Sequence, residues 1–221
     1  MADQTSDTRG PVPSITVVGH ATVEAVPDEA RLAFHLSGSG RSAEAALAAV
    51  GERVSLLGTI LKQAGVDEAN QGQTVSVSEQ GEQKGGRWLT KGYEASATLR
   101  TIIKAPETVG EIIATSVQQV GPRISGPQWV VSPEHPVRAE SWRAAALEAK
   151  QRAEAYAEAL GLQLGSVLEV SENGITDAPR DHRMSGPAMM AAQAVVESAP
   201  SFELRPIAQN LHASVTVRFA I

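Results

Sequence analysis

Three of the five histidines in the sequence stand where they could bind a metal ion together. His20 and His35 lie at equal distances on either side of Pro27 and Asp28, so a hairpin that turns at this dipeptide makes them direct cross-strand neighbours. His212 has the polar parity of the last predicted strand and would join them if that strand lies beside the hairpin. Neutral imidazole nitrogens are good ligands for zinc and copper. The alternative, which we favour, is that all three are polar side chains on the wet face of a sheet, without metal.

The rest of the sequence carries no catalytic motif. Ser39 lies in a Gly-Ser-Gly stretch without the spacing of a nucleophile elbow, so we interpret it as linker before a helix. Glu134 precedes a helix, where the helix dipole favours an acidic group. Cysteine is absent, which excludes thiolate nucleophiles, disulfides and Cys-ligated metals. We therefore expect no catalytic residue and no cofactor. An enzyme or metal-binding protein with an unrecognised site stays as the alternative function.

The composition is that of a soluble globular protein with an acidic balance. The chain has 221 residues, a net charge of −6 and 4% aromatic residues. Because such a chain is poorly equipped to neutralise phosphates and stack bases, we expect no nucleic-acid partner. No apolar run is long enough to span a bilayer. The first residues lack the basic and apolar regions of a secretory signal, which favours a cytoplasmic location.

From the first residue to the last, hydrophobic periodicity predicts the order β-β-α-β-β-α-β-α-β, then a long loop and a last strand. The first two strands alternate on either side of the Pro-Asp dipeptide, which predicts an antiparallel pair with Val23 facing Leu32. In the second strand, Leu32, Phe34 and Leu36 share the apolar face. Strands outnumber helices, and most pairings look antiparallel. The sequence therefore predicts an α+β fold, with antiparallel sheets that helices cover on one face.

Three amphipathic helices are predicted. The first is capped by Ser42 and runs to about Ala64, and the second starts at Pro106. The third and longest begins at Pro136 and ends at Gly161. The residues of this third helix that we expect to face a sheet recur at helical spacing: Trp142, Ala146, Ala149, Ala153, Tyr156 and Leu160.

The regular pattern is lost between residues 171 and 210. A connection of about 40 residues is unusually long for a compact domain and indicates a functional or mobile loop. Inside it, residues 187–200 are apolar and contain methionine, so this segment could pack on a neighbouring subunit or cap its own core. Both possibilities stay open. The candidate residues for an oligomer contact are Met189, Met190, Val195 and Val196.

Four stretches, in the same order, resemble motifs of the SIMPL-domain family. ITVVGHATVEAVPDEARLAF resembles the family opening I-x-V-x-G-x-(G/A)-x-V-x-x-x-P-D-x-A, and GYEASATLRTIIK resembles a family strand. AEALGLQLGSV is similar to the end of a helix–strand signature, and a Pro-Ile precedes the last strand. The likeness covers residues 14–221.

The resemblance implies an α+β fold in two intertwined parts, found in bacterial homo-oligomers that are linked to oxidative-stress defence. We expect a tail at residues 1–13 and one domain at 14–221. Its outer part would comprise residues 14–92 and 165–221, and its inner, plait-like part residues 93–164. The resemblance supplies no catalytic residues, and many family members are periplasmic. We therefore expect a non-enzymatic, self-assembling protein that has a possible further protein partner and whose link to oxidative stress is indirect.

Overall fold

The computed structural model describes residues 12–178 and 204–221. The elements follow the predicted order. The helices are α1 (Ala43–Gln63), α2 (Val109–Gln119) and α3 (Pro136–Ala159). The strands are β1 (Ser14–Ala25), β2 (Glu29–Gly40), β3 (Gln71–Lys84), β4 (Arg87–Ile103), β5 (Arg123–Val130), β6 (Val167–Ala178) and β7 (Gln209–Ala220).

The described residues form two compact units, each with its own antiparallel sheet. The three-stranded unit has strand order β1-β7-β6 and carries α3, and the four-stranded unit has order β3-β4-β2-β5 and carries α1 and α2. This confirms the predicted α+β fold with antiparallel sheets. The units are divided differently from the predicted outer and inner parts, because α3 packs on β1 and β7 while β4, α2 and β5 belong with β2.

In the four-stranded unit, large apolar side chains fill the space between sheet and helices. Phe34 on β2 and Leu57 and Leu61 on α1 are completely buried. Ser42 caps α1 as predicted, since its Oγ accepts a hydrogen bond from the backbone N–H of Ala45 at 3.2 Å. The alternation of β2 therefore correctly predicted which of its faces is buried.

In the three-stranded unit, α3 lies on the sheet through a stripe of small residues. The buried positions are four apart, namely Ser141, Ala145, Ala149, Ala153 and Ala157. The predicted stripe is confirmed at Ala149 and Ala153 and is wrong at its other four members. Trp142, Tyr156 and Leu160 are 43%, 53% and 68% exposed, and Ala146 is exposed as well. One reason is steric: a Cβ on Gly19 of β1 would lie 2.1 Å from the carbonyl oxygen of Ala145, so the helix approaches the sheet too closely at this point for a larger side chain. Larger residues of the sheet, such as Val217 and Phe219, belong to the same buried cluster.

The predicted hairpin of β1 and β2 does not form. β1 pairs along its whole length with β7, and β2 pairs with β4 and β5, so Val23 faces Leu211 instead of Leu32. Between the two strands, the Asp28 carboxylate accepts hydrogen bonds from the backbone N–H and the Oγ of Ser132, at 2.7 and 2.6 Å. Alternation specifies which face of a strand is buried but not which strand lies beside it, and that is why the pairing was wrong.

The predicted loop of residues 171–210 is shorter than expected at its start, because β6 continues to Ala178 and pairs with β7. Residues 179–203 lie outside the described residues, as do residues 1–11. Among the helices described here, none has both the length and the apolar character needed to cross a bilayer.

Candidate functional site

The three candidate histidines do not come together as predicted. His20 and His212 lie on the exposed face of one sheet as diagonal neighbours, since His20 pairs with Ser214 and Thr22 pairs with His212. His35 lies on β2 in the sheet of the other unit. The predicted cross-strand contact between His20 and His35 is therefore wrong.

Two of these imidazoles are engaged by hydroxyl groups. His212 Nδ1 shares a hydrogen bond of 2.9 Å with Thr22 Oγ1. His35 bonds through Nδ1 to Thr98 Oγ1 at 3.1 Å and through Nε2 to Ser125 Oγ at 3.2 Å. Over residues 12–178 and 204–221, no three His, Asp or Glu side chains are close enough to hold a metal ion. The arrangement thus offers hydrogen-bonded polar side chains on sheet faces and gives no metal site in this part of the chain.

The backbone beside His20 has a role that the sequence did not reveal. Its N–H donates to Glu148 Oε2 at 3.0 Å, and Arg152 Nη2 donates to Oε1 of the same carboxylate at 2.5 Å. The first of these contacts is the main reason that the pKa of Glu148 lies below its ordinary value, opposed by desolvation and assisted by Arg152. Glu148 and Arg152 are four residues apart on α3 and form an ion pair. This carboxylate ties α3 to an N–H of the edge strand β1, which is a structural task.

Ser39 and Glu134, the other two residues considered for catalysis, lie in or beside regular secondary structure. Ser39 lies within β2, paired with Glu94, instead of in a linker. His135, and not Glu134, caps α3, because its Nδ1 accepts from the backbone N–H of Val137 at 3.2 Å. The described residues therefore place neither Ser39 nor Glu134 in a group that could carry out acid–base or nucleophilic catalysis.

The four predicted oligomer-contact residues lie outside the described residues: Met189, Met190, Val195 and Val196. That contact stays a prediction. An exposed apolar feature does occur elsewhere, at the end of the hairpin formed by β3 and β4.

This feature is a two-stranded ribbon at residues 80–92, called the ribbon arm below. β2 accompanies β4 only as far as Tyr93, and beyond that point β4 is paired with β3 alone. The hairpin closes through Gly85 and Gly86, whose φ angles of 59° and 79° are those a tight two-residue turn requires. Both strands therefore continue through a stretch that is polar and rich in glycine in the sequence.

The ribbon arm presents a tryptophan in a fixed orientation. Trp88 is 57% exposed, yet its Nε1 donates to Glu79 Oε1 at 2.9 Å. Its ring lies over Gly81, where an added Cβ would come within 2.7 Å of the ring atom Cε2. The neighbouring Leu89 is 47% exposed, and Lys91 forms an ion pair with Glu82 across the ribbon at 2.6 Å. An indole beside a Gly-Gly turn was the sequence signal that could have revealed this site.

The strand leading into the ribbon arm has an open edge. β3 is 14 residues long and, among the described residues, pairs with β4 alone. Val75 and Val77 on this strand are 50% and 39% exposed. A long edge strand with exposed valines presents both unpaired backbone groups and apolar surface to a second chain.

Comparison with known proteins adds a family and a relative. Residues 15–219 match the family SIMPL, whose description is "Protein of unknown function (DUF541)". The uncharacterized protein YggE of Edwardsiella ictaluri (strain 93-146) is 27% identical over 160 residues, which cover 72% of this chain and 67% of that protein. Neither description states an activity.

Proposed function

The chain belongs to the SIMPL family, and from this premise we propose that it is a non-enzymatic protein that assembles with copies of itself through the ribbon arm and strand β3. The observation that carries the proposal is Trp88, an exposed indole held in one orientation at the end of the ribbon. Tryptophan is enriched among the residues that dominate binding energy at interfaces.

The ribbon arm is suited to binding because contacts within the chain already orient its tryptophan. A two-stranded ribbon is only marginally stable alone in water, but this one continues a four-stranded sheet, and the Trp88–Glu79 hydrogen bond connects its two strands. Rotamers that are already fixed lose little entropy on association. The apolar surface of Trp88 and Leu89 can therefore stabilise a complex at low entropic cost.

The open edge of β3 supplies a second, self-complementary element. In a two-fold dimer the same strand from each copy can pair with the other, which joins the sheets through backbone hydrogen bonds. Val75 and Val77 would then meet the equivalent residues of the second copy. The arm carries Glu82 against Lys84, Arg87 and Lys91, so association through it should strengthen as salt screens the excess positive charge.

The non-enzymatic part of the proposal rests on the chemistry of the described residues. They contain no group of His, Asp or Glu side chains fit for metal binding, and no specific observation favours the alternative of an enzyme or metal-binding protein. The resemblance links the family to oxidative-stress defence. Because the chain has no cysteine, it can form no peroxidatic thiolate, and we propose that any such link is indirect.

The test is the mass of the particle at micromolar concentration, measured by light scattering after size-exclusion chromatography. We expect an oligomer for the intact chain. Replacing Trp88 with alanine should weaken association by about 2–4 kcal/mol, which is roughly 30- to 1000-fold in the dissociation constant. The control is Trp142→Ala on α3, which removes an equally large and 43% exposed indole and should leave the mass unchanged.

A second variant separates the two predicted contacts. Deleting residues 187–200 tests the apolar segment of the long loop without altering the ribbon arm. If this deletion reduces the number of chains in the particle and Trp88→Ala does not, assembly uses the loop, and the proposed role of the ribbon arm is wrong. A monomeric intact chain would contradict self-assembly altogether.

A further inference from the structure

The four-stranded unit has a cavity of about 580 Å³ on the sheet face that α1 and α2 leave uncovered. All four strands contribute to its lining, as does Asn70 at the end of a short 3-10 helix (Glu68–Asn70), whereas α1 and α2 do not. We infer that this cavity binds a small organic dianion, either a dicarboxylate or a phosphate monoester, between Arg31 and Arg100. The site is separate from the ribbon arm and does not depend on the proposed assembly.

The two arginines stand close together on the same face. Arg31 pairs with Ile102 and Ala33 pairs with Arg100, so the arginines are diagonal neighbours on β2 and β4. Such positions are roughly 7–8 Å apart at the backbone, which lets two long side chains converge on one ligand. Both arginines are exposed. Two adjacent positive charges repel each other, and a bound anion removes that repulsion.

No protein carboxylate neutralises this pair within the described part of the chain. Neither guanidinium forms an ion pair with any described residue, and no Asp or Glu lines the cavity. Glu29, two residues before Arg31 on β2, is buried and makes no ion pair with it. The chain has 25 acidic and 19 basic residues, and yet no acidic residue in the lining opposes these two adjacent positive charges.

Small residues beside Arg100 create the space for that partner. Ala33 on β2 and Gly72 on β3 are its cross-strand neighbours. A Cβ at Gly72 would meet nothing within 4 Å, so the glycine leaves room without being required by close packing. On the other side, the pairing of β2 with β5 shifts register between Arg31 and Ala33, and such an irregularity bends the strand locally.

The lining defines the class of ligand. Guanidinium groups donate two parallel hydrogen bonds to a carboxylate or a phosphate, and two of them match a ligand with two negative charges. Asn70, Gln71 and Gln128 add amides that can bind neutral oxygen atoms. The volume lies in the range of pockets for small molecules, which favours a metabolite over a macromolecule.

Calorimetric titration of the full chain tests the inference with three probes at constant ionic strength. These are succinate for a dicarboxylate, glycerol 2-phosphate for a phosphate monoester, and succinamide as the uncharged analogue of succinate. We expect one or both anions to bind and succinamide to give no signal. Binding of succinate alone assigns a carboxylate ligand, and binding of glycerol 2-phosphate alone assigns a phosphate.

Four variants locate the binding. Arg31→Gln and Arg100→Gln should each weaken binding about tenfold or more, because each removes a charge-assisted contact. Gly72→Leu keeps both charges but fills the cavity, and it should abolish binding. Arg41→Gln removes the same charge from an exposed residue outside the cavity and should bind like the wild type.

Circular dichroism confirms that each variant is folded before titration. The inference is overturned if neither anion binds at about 10 mM, where even a weak specific site of millimolar affinity would be mostly occupied. It is also overturned if succinamide binds as well as succinate. An equal loss of affinity in Arg41→Gln and Arg100→Gln would likewise refute it, because the effect would then come from net charge.

Discussion

Helix α1 and helix α3 rest on their sheets in opposite ways. Under α1, much of the space between sheet and helix is filled by large side chains such as Phe34, Leu57 and Leu61, all completely buried. Only the first turns of the helix come close to glycines, namely Gly38 and Gly40 of β2. Under α3, the helix contributes only alanines to the buried cluster, and at the closest approach the sheet contributes Gly19, beside larger residues such as Val217 and Phe219. The first contact gains stability from the apolar area it buries, and the second gains it from the close approach of two backbones.

This difference teaches how each unit responds to a change in sequence. A contact filled by large side chains is damaged when atoms are removed, since a cavity is left behind. A contact in which two backbones lie close together, because the residues between them are small, is damaged when atoms are added. The helix must then move away from the sheet. Truncations should therefore weaken the four-stranded unit most, and enlargements the three-stranded unit.

The largest effect is expected from truncation under α1. Phe34→Ala should lower the free energy of unfolding by about 3–5 kcal/mol, because it deletes a buried ring from a packed core. Urea denaturation measures this. Leu47→Ala on α1, a residue 41% exposed, serves as the control and should cost less than about 1 kcal/mol. Equal losses in the two variants would contradict the core assigned to this unit.

Enlargement under α3 should come next. Gly19→Val should destabilise by about 3 kcal/mol, because the added Cβ would lie 2.1 Å from the Ala145 carbonyl oxygen and 2.7 Å from the Ala149 Cβ. The matched control is Gly51→Ala on α1, where an added Cβ meets nothing within 4 Å. It should stabilise by about 0.5–1 kcal/mol, as Ala is the better helix former. A neutral Gly19→Val variant would show that α3 can move away from the sheet without cost.

The smallest effect concerns the carboxylate that holds α3 to the edge of β1. The His20 N–H lowers the pKa of Glu148 in the folded chain, so the charged form contributes stability above the pKa of the unfolded state. That contribution is lost as pH falls through the lowered pKa of the folded state. Glu148→Gln should therefore be slightly less stable than wild type at pH 7.

Thermal unfolding from pH 7 down to below the ordinary carboxyl range of about 4 follows this difference. The stabilities of wild type and Glu148→Gln should converge at the acid end. Glu154→Gln is the control, because it removes an exposed carboxylate 3.6 Å from Lys150 on the same helix. Exposed ion pairs contribute little to stability, so this variant should behave like the wild type. A gap between wild type and Glu148→Gln that stays constant with pH would mean that packing, and not charge, connects α3 to β1.

The candidate sites also differ in whether residues close in sequence or residues far apart in sequence form them. Histidines at equal distances from Pro27 and Asp28 were a local pattern, and the pattern was real, but it did not make His20 and His35 neighbours. The arginines of the cavity are 69 positions apart in sequence, Arg31 against Arg100, and share no motif. Only the register of β2 against β4 brings them together. For the same reason the ribbon arm was missed, because its length depends on where β2 ends.

The sequence by itself determined the order of the elements, the α+β class, the Ser42 cap and the buried face of β2. These features follow from spacings of two to four residues, within which side chains on one element share a face. The tertiary structure decided which strands pair, how closely α3 approaches β1, and which polar residues meet. Several strands have the same alternation of apolar and polar residues, so this pattern does not distinguish one partner from another. The packing of the whole unit therefore decides which strands pair. The contact of Gly19 with Ala145 is an example. These residues are distant in sequence, but they lie so close in space that a Cβ on Gly19 would clash with the Ala145 carbonyl oxygen.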